Sequence, residues 1–233
     1  FDNNIYPSIS IVDPLLTLST PKKQTADGVA DMFIHIFESY LSSKANAPVS
    51  DRISEALLKE CMKQGRIVIN DLQNVEAREN LSWISSLALS GIPNAGRKGP
   101  HTMHRLEHPL SGQFHISHGR GLSAIMPAYL VYTYDIYKDR LEAFGEMVFG
   151  KKDAKNTIFE IINWLKELEA FNGLKDLGVD KNSFTALAEA AIREDGSPNF
   201  VNAKRPLYKD ELIKIYELAY DYTNFEEKIN ELS

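Results

Sequence analysis

Five of the six histidines in this chain fall within eighteen residues, at His101, His104, His108, His115 and His118, and the sixth, His35, follows Asp31 by four. Neutral imidazole and carboxylate are the ligands that zinc and iron(II) prefer. Asp31, His35, His104 and His118 together would make a four-ligand metal site. A separation of four residues is about 40° around a helix. Asp31 and His35 would therefore project along nearly one line and offer two ligand atoms to one ion. Taken alone, that pair reads better as an ordinary helical ion pair, because D-x-x-x-H is a short pattern. His104 and His108 also share a helical face. Gly119, next to His118, suits a tight turn that presents the imidazole to a cleft. The segment H-x-x-x-H holds Arg105 and Leu106 and lacks the general-base Glu that an H-E-x-x-H metalloprotease carries. A solvated, pH-sensitive polar loop is the competing reading of the cluster, and it is the better one for His101 and His115.

These side chains need helices to hold them. Val29, Met32, Phe33, Ile36, Phe37 and Tyr40 recur at spacings of three and four, which predicts a helix capped by Thr25 or Asp27 and running to about Ser43. A second starts at Ser50 and runs toward Leu72, with Ile53, Leu57, Leu58, Cys61 and Met62 in one stripe. A third covers about Val75 to Leu89, broken by Gly91, Pro93 and Gly96. The histidine segment His101 to Gln113 reads as a helix despite Pro109. Gly119 and Gly121 mark a turn, and an apolar helix follows from Leu122 to about Tyr134. Further helices are expected over Lys138 to Phe149, Ala154 to Phe171, Asn182 to Ile192 and Tyr208 to Tyr222, with Pro206 as a start signal for the last. Ser8 to Val12 reads as a strand or extended segment stopped by Asp13-Pro14. The expected class is all-α, one domain of eight or nine helices over residues 15–233, preceded by a linker over residues 1–14.

Composition narrows the function classes. The 233 residues are 43% hydrophobic and 25% charged, values of an ordinary globular domain. The net charge of −6 disfavours nucleic acid, whose binding needs Lys and Arg on phosphates. No apolar run reaches the ~18 residues that a membrane-spanning helix needs. The single cysteine, Cys61, excludes an intrachain disulfide and fits a reducing cytoplasm. The chain opens Phe-Asp-Asn-Asn without Met, so a piece of a longer protein or a truncated product is expected.

Placed in order, these residues resemble a known family. Asp13-Pro14, Pro21, Ala26, Gly28, Asp31-Met32-Phe33 and Glu38 resemble the first signature of the iron-containing (group III) alcohol dehydrogenases, the butanol dehydrogenase type in particular. His104, Glu107-His108, Leu110-Ser111-Gly112, Ile116 and His118-Gly119-x-Gly121 resemble their second signature, including the fourteen-residue separation of His104 from His118. The resemblance covers essentially the whole chain, aligned to the C-terminal, dehydroquinate synthase-like multi-helix domain of that family. It departs at His101, where a small residue or Trp is common, and at Met103, where a smaller side chain is common.

The resemblance implies that Asp31, His35, His104 and His118 hold the metal, Fe(II) as a rule and Zn(II) in some relatives. It implies that His108 lies near the nicotinamide and the metal without ligating, where it could relay a proton. It implies interconversion of primary alcohols and aldehydes with NAD or NADP, a small-molecule substrate, and a homodimer. The cofactor would be held by an N-terminal dinucleotide-binding domain whose Gly-rich turn does not occur here, since Gly119 and Gly121 lack the third glycine and a preceding strand. The short N-terminal segment would be the stub of that domain. Two other readings remain at this point. One is a helical hydrolase using metal-activated water, disfavoured by four protein ligands where hydrolytic zinc keeps three. The other is an inactive truncated remnant. Within the same fold, the polyol dehydrogenase and dehydroquinate synthase branches fit less well, the synthase being expected to use fewer histidines. Glu38, one turn from His35, could orient it.

Overall fold

Helix α1 (Lys22–Leu41) carries apolar residues on nearly every side, and Ala26, Val29, Ala30, Phe33, Ile34, Ile36, Phe37, Tyr40 and Leu41 are all buried. A helix that is apolar all round belongs in an interior, and α1 takes that place. It packs against α2 (Pro48–Asn70), α3 (Val75–Ala88), α5 (His118–Tyr132) and α6 (Tyr134–Phe149). Phe33 meets Trp164 of α7 (Ala154–Glu167) with ring centroids 4.7 Å apart, and Phe37 meets Phe144 of α6 at 5.1 Å. Each of these fully buried aromatics contributes about 2 kcal/mol through the area it removes from water.

The computed structural model describes residues 7–43, 46–97 and 99–233. Among the described residues there are ten α-helices. The remaining ones are α4 (Thr102–Phe114), which packs on α5 and α8 (Phe184–Glu194), then α9 (Lys209–Tyr220) and α10 (Phe225–Asn230). The described strands are the antiparallel pair β1 (Phe200–Val201) and β2 (Leu207–Tyr208). The expected all-α class stands. No helix among the described residues is long and apolar enough to cross a membrane.

Several boundaries differ from expectation, each for a physical reason. Helix α1 begins at Lys22, and neither Thr25 nor Asp27 caps it. Thr25 Oγ1 is bonded to the Thr20 carbonyl, and Asp27 turns to Arg120. Helix α5 begins at His118 instead of Leu122, so Gly119 and Gly121 are helical and not a turn. Both are glycine because other helices come too close for a Cβ. One at Gly119 would overlap the Asp27 carbonyl, and one at Gly121 the Glu107 side chain. Helix α7 stops at Glu167, where Glu169 turns the chain with φ of 56°. Helix α10 and a 3-10 turn over Pro14–Ser19 add to the expected elements. From Ser8 to Val12 the chain is unpaired, with Ile9, Ile11 and Val12 exposed. Of the expected linker over residues 1–14, the first six lie outside the described residues.

Candidate metal centre

Three elements bring four polar side chains to one point. Helix α1 supplies Asp31 and His35 from consecutive turns, α4 supplies His104, and α5 supplies His118 from its first residue. One ligand atom from each lies within 4.8 Å of every other. His35 Nε2 is 3.2 Å from His104 Nε2 and 3.4 Å from Asp31 Oδ1, and His118 Nε2 is 3.7 Å from the same oxygen. A tetrahedral ion with bonds of about 2.1 Å would set its donors about 3.4 Å apart.

The rings are aimed from behind. His104 Nδ1 is 2.6 Å from Glu38 Oε2, and His118 Nδ1 is bonded to Glu107 Oε2. Glu38 and Glu107 are both buried. A carboxylate at Nδ1 holds the proton on that nitrogen and leaves Nε2 with a bare lone pair. Two such lone pairs therefore face the Asp31 carboxylate. Asp31 Oδ1 is buried with no hydrogen-bond partner among the described residues, and so is His35 Nδ1. Three imidazole nitrogens converge on a carboxylate oxygen that has no hydrogen-bond donor of its own, and a cation would satisfy all four at once. On this observation the donor set fits a divalent metal.

Glu38 does more than hold His104. Its Oε1 accepts the Met103 backbone N–H in the first turn of α4. His101, the N-cap, makes no side-chain cap. A carboxylate from α1 thus satisfies a free amide of α4, so the two helices are registered where they share the site. Glu38 orients His104 and not His35, contrary to the expectation from its position one turn away. Glu107, to which the sequence assigns no role, holds His118, while Ser111 Oγ donates to Glu107 Oε1. A signal for Glu107 exists in the chain. It sits among apolar positions of α4 and is fully buried there, and an acid in a core is seldom left unpaired.

Burial, reinforced by the neighbouring imidazole of His104, pulls the pKa of His35 down to about 4. Burial, with the imidazole of His118 adding to it, does the same to His104. Both rings are thus neutral, the form that ligates. His118 is raised, chiefly by its hydrogen bond to Glu107. Burial pushes Glu38 up to about 7, against the pull of His101 and of the α4 amides.

His108 stands beside the four and apart from them. Its ring centroid is 5.4 Å from that of His118, and its Nδ1 is 2.5 Å from Glu194 Oε1 of α8. Arg105 Nη1 donates to the same Glu194 oxygen at 2.6 Å. His108, His118 and Asp31 form the more exposed side of the cluster, whereas His104 is buried against Glu38. His101 lies over the His104 ring, with its Nδ1 3.8 Å from Glu38. His115 is exposed and caps α4 in the left-handed conformation, away from the site.

Comparison with known proteins bears on the family of the chain. Residues 25–220 match the profile of the Fe-containing alcohol dehydrogenase family, C-terminal. NADH-dependent butanol dehydrogenase A of Clostridium acetobutylicum is 33% identical over 226 residues, covering 94% of this chain and 58% of the relative. An NADPH-dependent aldehyde reductase of Escherichia coli is 26% identical over 222 residues, covering 93% of this chain and 57% of its own. The crystal structure of NADH-dependent butanol dehydrogenase A from Thermotoga maritima superposes with a TM-score of 0.88 at 29% identity, over 94% of this chain and 58% of that one. The chain thus spans little more than half the length of these relatives.

Proposed function

Because the chain belongs to the iron-containing alcohol dehydrogenase family and matches its C-terminal part, we propose that it supplies the metal- and substrate-binding half of an enzyme that interconverts primary alcohols and aldehydes with NAD(P)(H). The observation that carries this reading is the convergence of Asp31, His35, His104 and His118, two of the imidazoles being aimed by buried carboxylates. These four residues would hold Fe(II), with Zn(II) as the alternative. The relatives named above are two dehydrogenases and a reductase, which favours oxidoreduction over hydrolysis.

The ion, when bound, supplies a Lewis acid that lowers the pKa of an alcohol or polarises an aldehyde carbonyl. The chain's own residues do the rest. Glu38 and Glu107 fix the tautomers of His104 and His118, so that both present Nε2. His108 stands at the open edge beside His118, its Nδ1 held by Glu194. That leaves its Nε2 as the atom that takes a proton from a bound alcohol or returns it to a forming one. The nicotinamide dinucleotide would be bound by residues other than the helical unit of 15–233, with residues 1–14 as the connection. The exposed Ile9, Ile11 and Val12 support that division. A cytoplasmic location and a homodimer belong to the same proposal, and the buried, free Cys61 fits a reducing compartment.

The test uses the full-length gene product loaded with Fe(II) and supplied with NADH or NADPH and butyraldehyde. The proposal expects reduction of short aliphatic aldehydes, lost in His104→Ala along with the metal and slowed in His108→Ala with metal retained. Stoichiometric metal with no turnover of any such aldehyde would overturn it.

A further inference from the structure

Asn172-Gly173 is the chain's one Asn-Gly pair, and it lies in the irregular segment between α7 and α8. An asparagine can close a succinimide ring when the backbone nitrogen of the next residue attacks its side-chain carbonyl carbon. Glycine in the second place leaves that nitrogen unshielded, because it carries no Cβ. Here the packing itself requires the glycine. A Cβ on Gly173 would lie 2.6 Å from the Tyr220 carbonyl oxygen. The backbone beyond it is pinned to the end of α9, where Leu174 N–H and Lys175 N–H donate to the Ala219 and Tyr220 carbonyls, both at 2.9 Å. The pair that cyclises most readily is therefore built into the fold.

The groups that such a ring closure needs are already in contact. Asn172 Oδ1 accepts from Arg120 Nη1 at 2.7 Å. Arg120 is buried, with Nε and Nη2 engaged by Asp27, so the guanidinium is fixed in place. A cation at an amide oxygen draws electrons from the carbon and stabilises the oxyanion that forms on attack. Gly173 N–H donates to Asp176 Oδ2 at 3.0 Å. That sets a carboxylate on the proton that the attacking nitrogen must lose. Water reaches the same place. Asn172, Arg120 and Asp176 line one cavity of about 490 Å³ beside Lys22 and Lys23, ample for several waters.

We propose that Asn172 is a self-modifying site, deamidated through a succinimide with Asp176 as the base and Arg120 as the oxyanion stabiliser. Gly173 N bonds to Asn172 Cγ while its proton passes to Asp176 Oδ2. The Cγ–Nδ2 bond then breaks, and Nδ2 leaves as ammonia with the proton that Asp176 returns. Water opens the ring. Addition at Cγ gives aspartate, and addition at the Asn172 main-chain carbonyl gives isoaspartate. One water is consumed and one ammonia released, with no oxidant or reductant. The aspartate product sets a carboxylate against Arg120 Nη1, a stronger hydrogen bond than the amide makes, and takes the net charge one unit below −6. The site is independent of the metal assignment, because none of Asp31, His35, His104 and His118 takes part.

The test follows the tryptic peptide of residues 167–175 by mass spectrometry while the folded chain is incubated at neutral pH. The controls are the same peptide made synthetically and the chain held unfolded in guanidinium chloride at matched pH. A positioned base and a positioned oxyanion donor each contribute about 100-fold or more when well placed. The proposal therefore expects Asn172 to deamidate at least about tenfold faster in the folded chain than in either control. Asp176→Asn keeps an acceptor for Gly173 N–H but cannot take its proton, so its folded rate should fall to that of the controls. A folded chain no faster than the unfolded one would overturn the proposal. So would an undiminished rate in Asp176→Asn that is folded by circular dichroism. Should Asp176→Asn not fold, the comparison of folded with unfolded wild-type chain decides.

Discussion

Glu38 of α1 reaches across to α4 and holds His104 by its Nδ1 at 2.6 Å, while its other oxygen caps the first turn of the same helix. One buried carboxylate therefore sets both the tautomer of a candidate ligand and the position of the helix that carries it. Glu38→Gln keeps one acceptor but directs an amide N–H₂ at a donor. Metal affinity should fall by about 10- to 100-fold, read by competition with a chromogenic chelator. Affinity equal to wild type would mean that His104 is aimed by something else.

Gly119 and Gly121 separate stability from ligand placement. A Cβ on Gly119 meets the Asp27 backbone carbonyl, which cannot swing away. Gly119→Ala should cost about 3 kcal/mol or more of unfolding free energy, or leave no folded chain. A Cβ on Gly121 meets the Glu107 side chain, which can move, but only by releasing His118. Gly121→Ala should therefore fold and lose metal affinity more than stability. Denaturant melts with and without metal tell the two apart, and equal effects of the two variants on stability would contradict this assignment.

Arg120 and Asp27 staple α5 to α1 behind the site. Arg120 Nε and Nη2 both lie 2.7 Å from Asp27 Oδ1, and Nη1 reaches the Asn172 side chain, also at 2.7 Å. Arg120→Met leaves a buried carboxylate unpaired, and breaking such a pair costs about 3–5 kcal/mol. Chemical denaturation measures the loss. A loss under about 1 kcal/mol, the scale of an exposed pair, would place Asp27 in contact with solvent and remove the staple.

The metal-free chain should weaken in acid. His35 and His104 have folded-state pKa values near 4, below the ordinary 6.5. Groups depressed in this way contribute stability that is complete above pH 6.5 and is lost as pH falls toward 4. Glu38, raised from 4.5 to about 7, acts in the opposite sense, its contribution fading as pH rises between those values. Burial lowers His101 as well, while His118 is raised, so three lowered imidazoles stand against two raised groups, and Tm of the metal-free chain should drop between pH 6.5 and 4. His35→Gln should flatten that drop. A Tm that rises toward pH 4 would contradict the burial of the imidazoles.

Much of the site is legible in the sequence. The three-and-four spacing of Val29 to Tyr40 locates α1, and the i, i+4 placement of Asp31 and His35 survives intact in it. His104 and His118 come together because α4 and α5 are packed neighbours joined by a short turn, which adjacency in the chain suggests. What local sequence conceals is pairing across helices. Gly119 and Gly121 look like turn residues, and only the approach of Asp27 and Glu107 makes them helical positions that exclude a Cβ. Glu38 is nearest His35 along the chain, yet it serves His104, 66 residues away. Glu194, which holds His108 from α8, is 86 residues away, and no periodicity joins them.

Metal content, measured on the purified chain after chelation and reloading with Fe(II) or Zn(II), tests the central assignment most directly. Asp31, His35, His104 and His118 predict one ion per wild-type chain, and far less in both Asp31→Ala and His118→Ala, each checked for folding by circular dichroism. Folded Asp31→Ala or His118→Ala that keeps a full equivalent of metal would show that the ion is held by other groups.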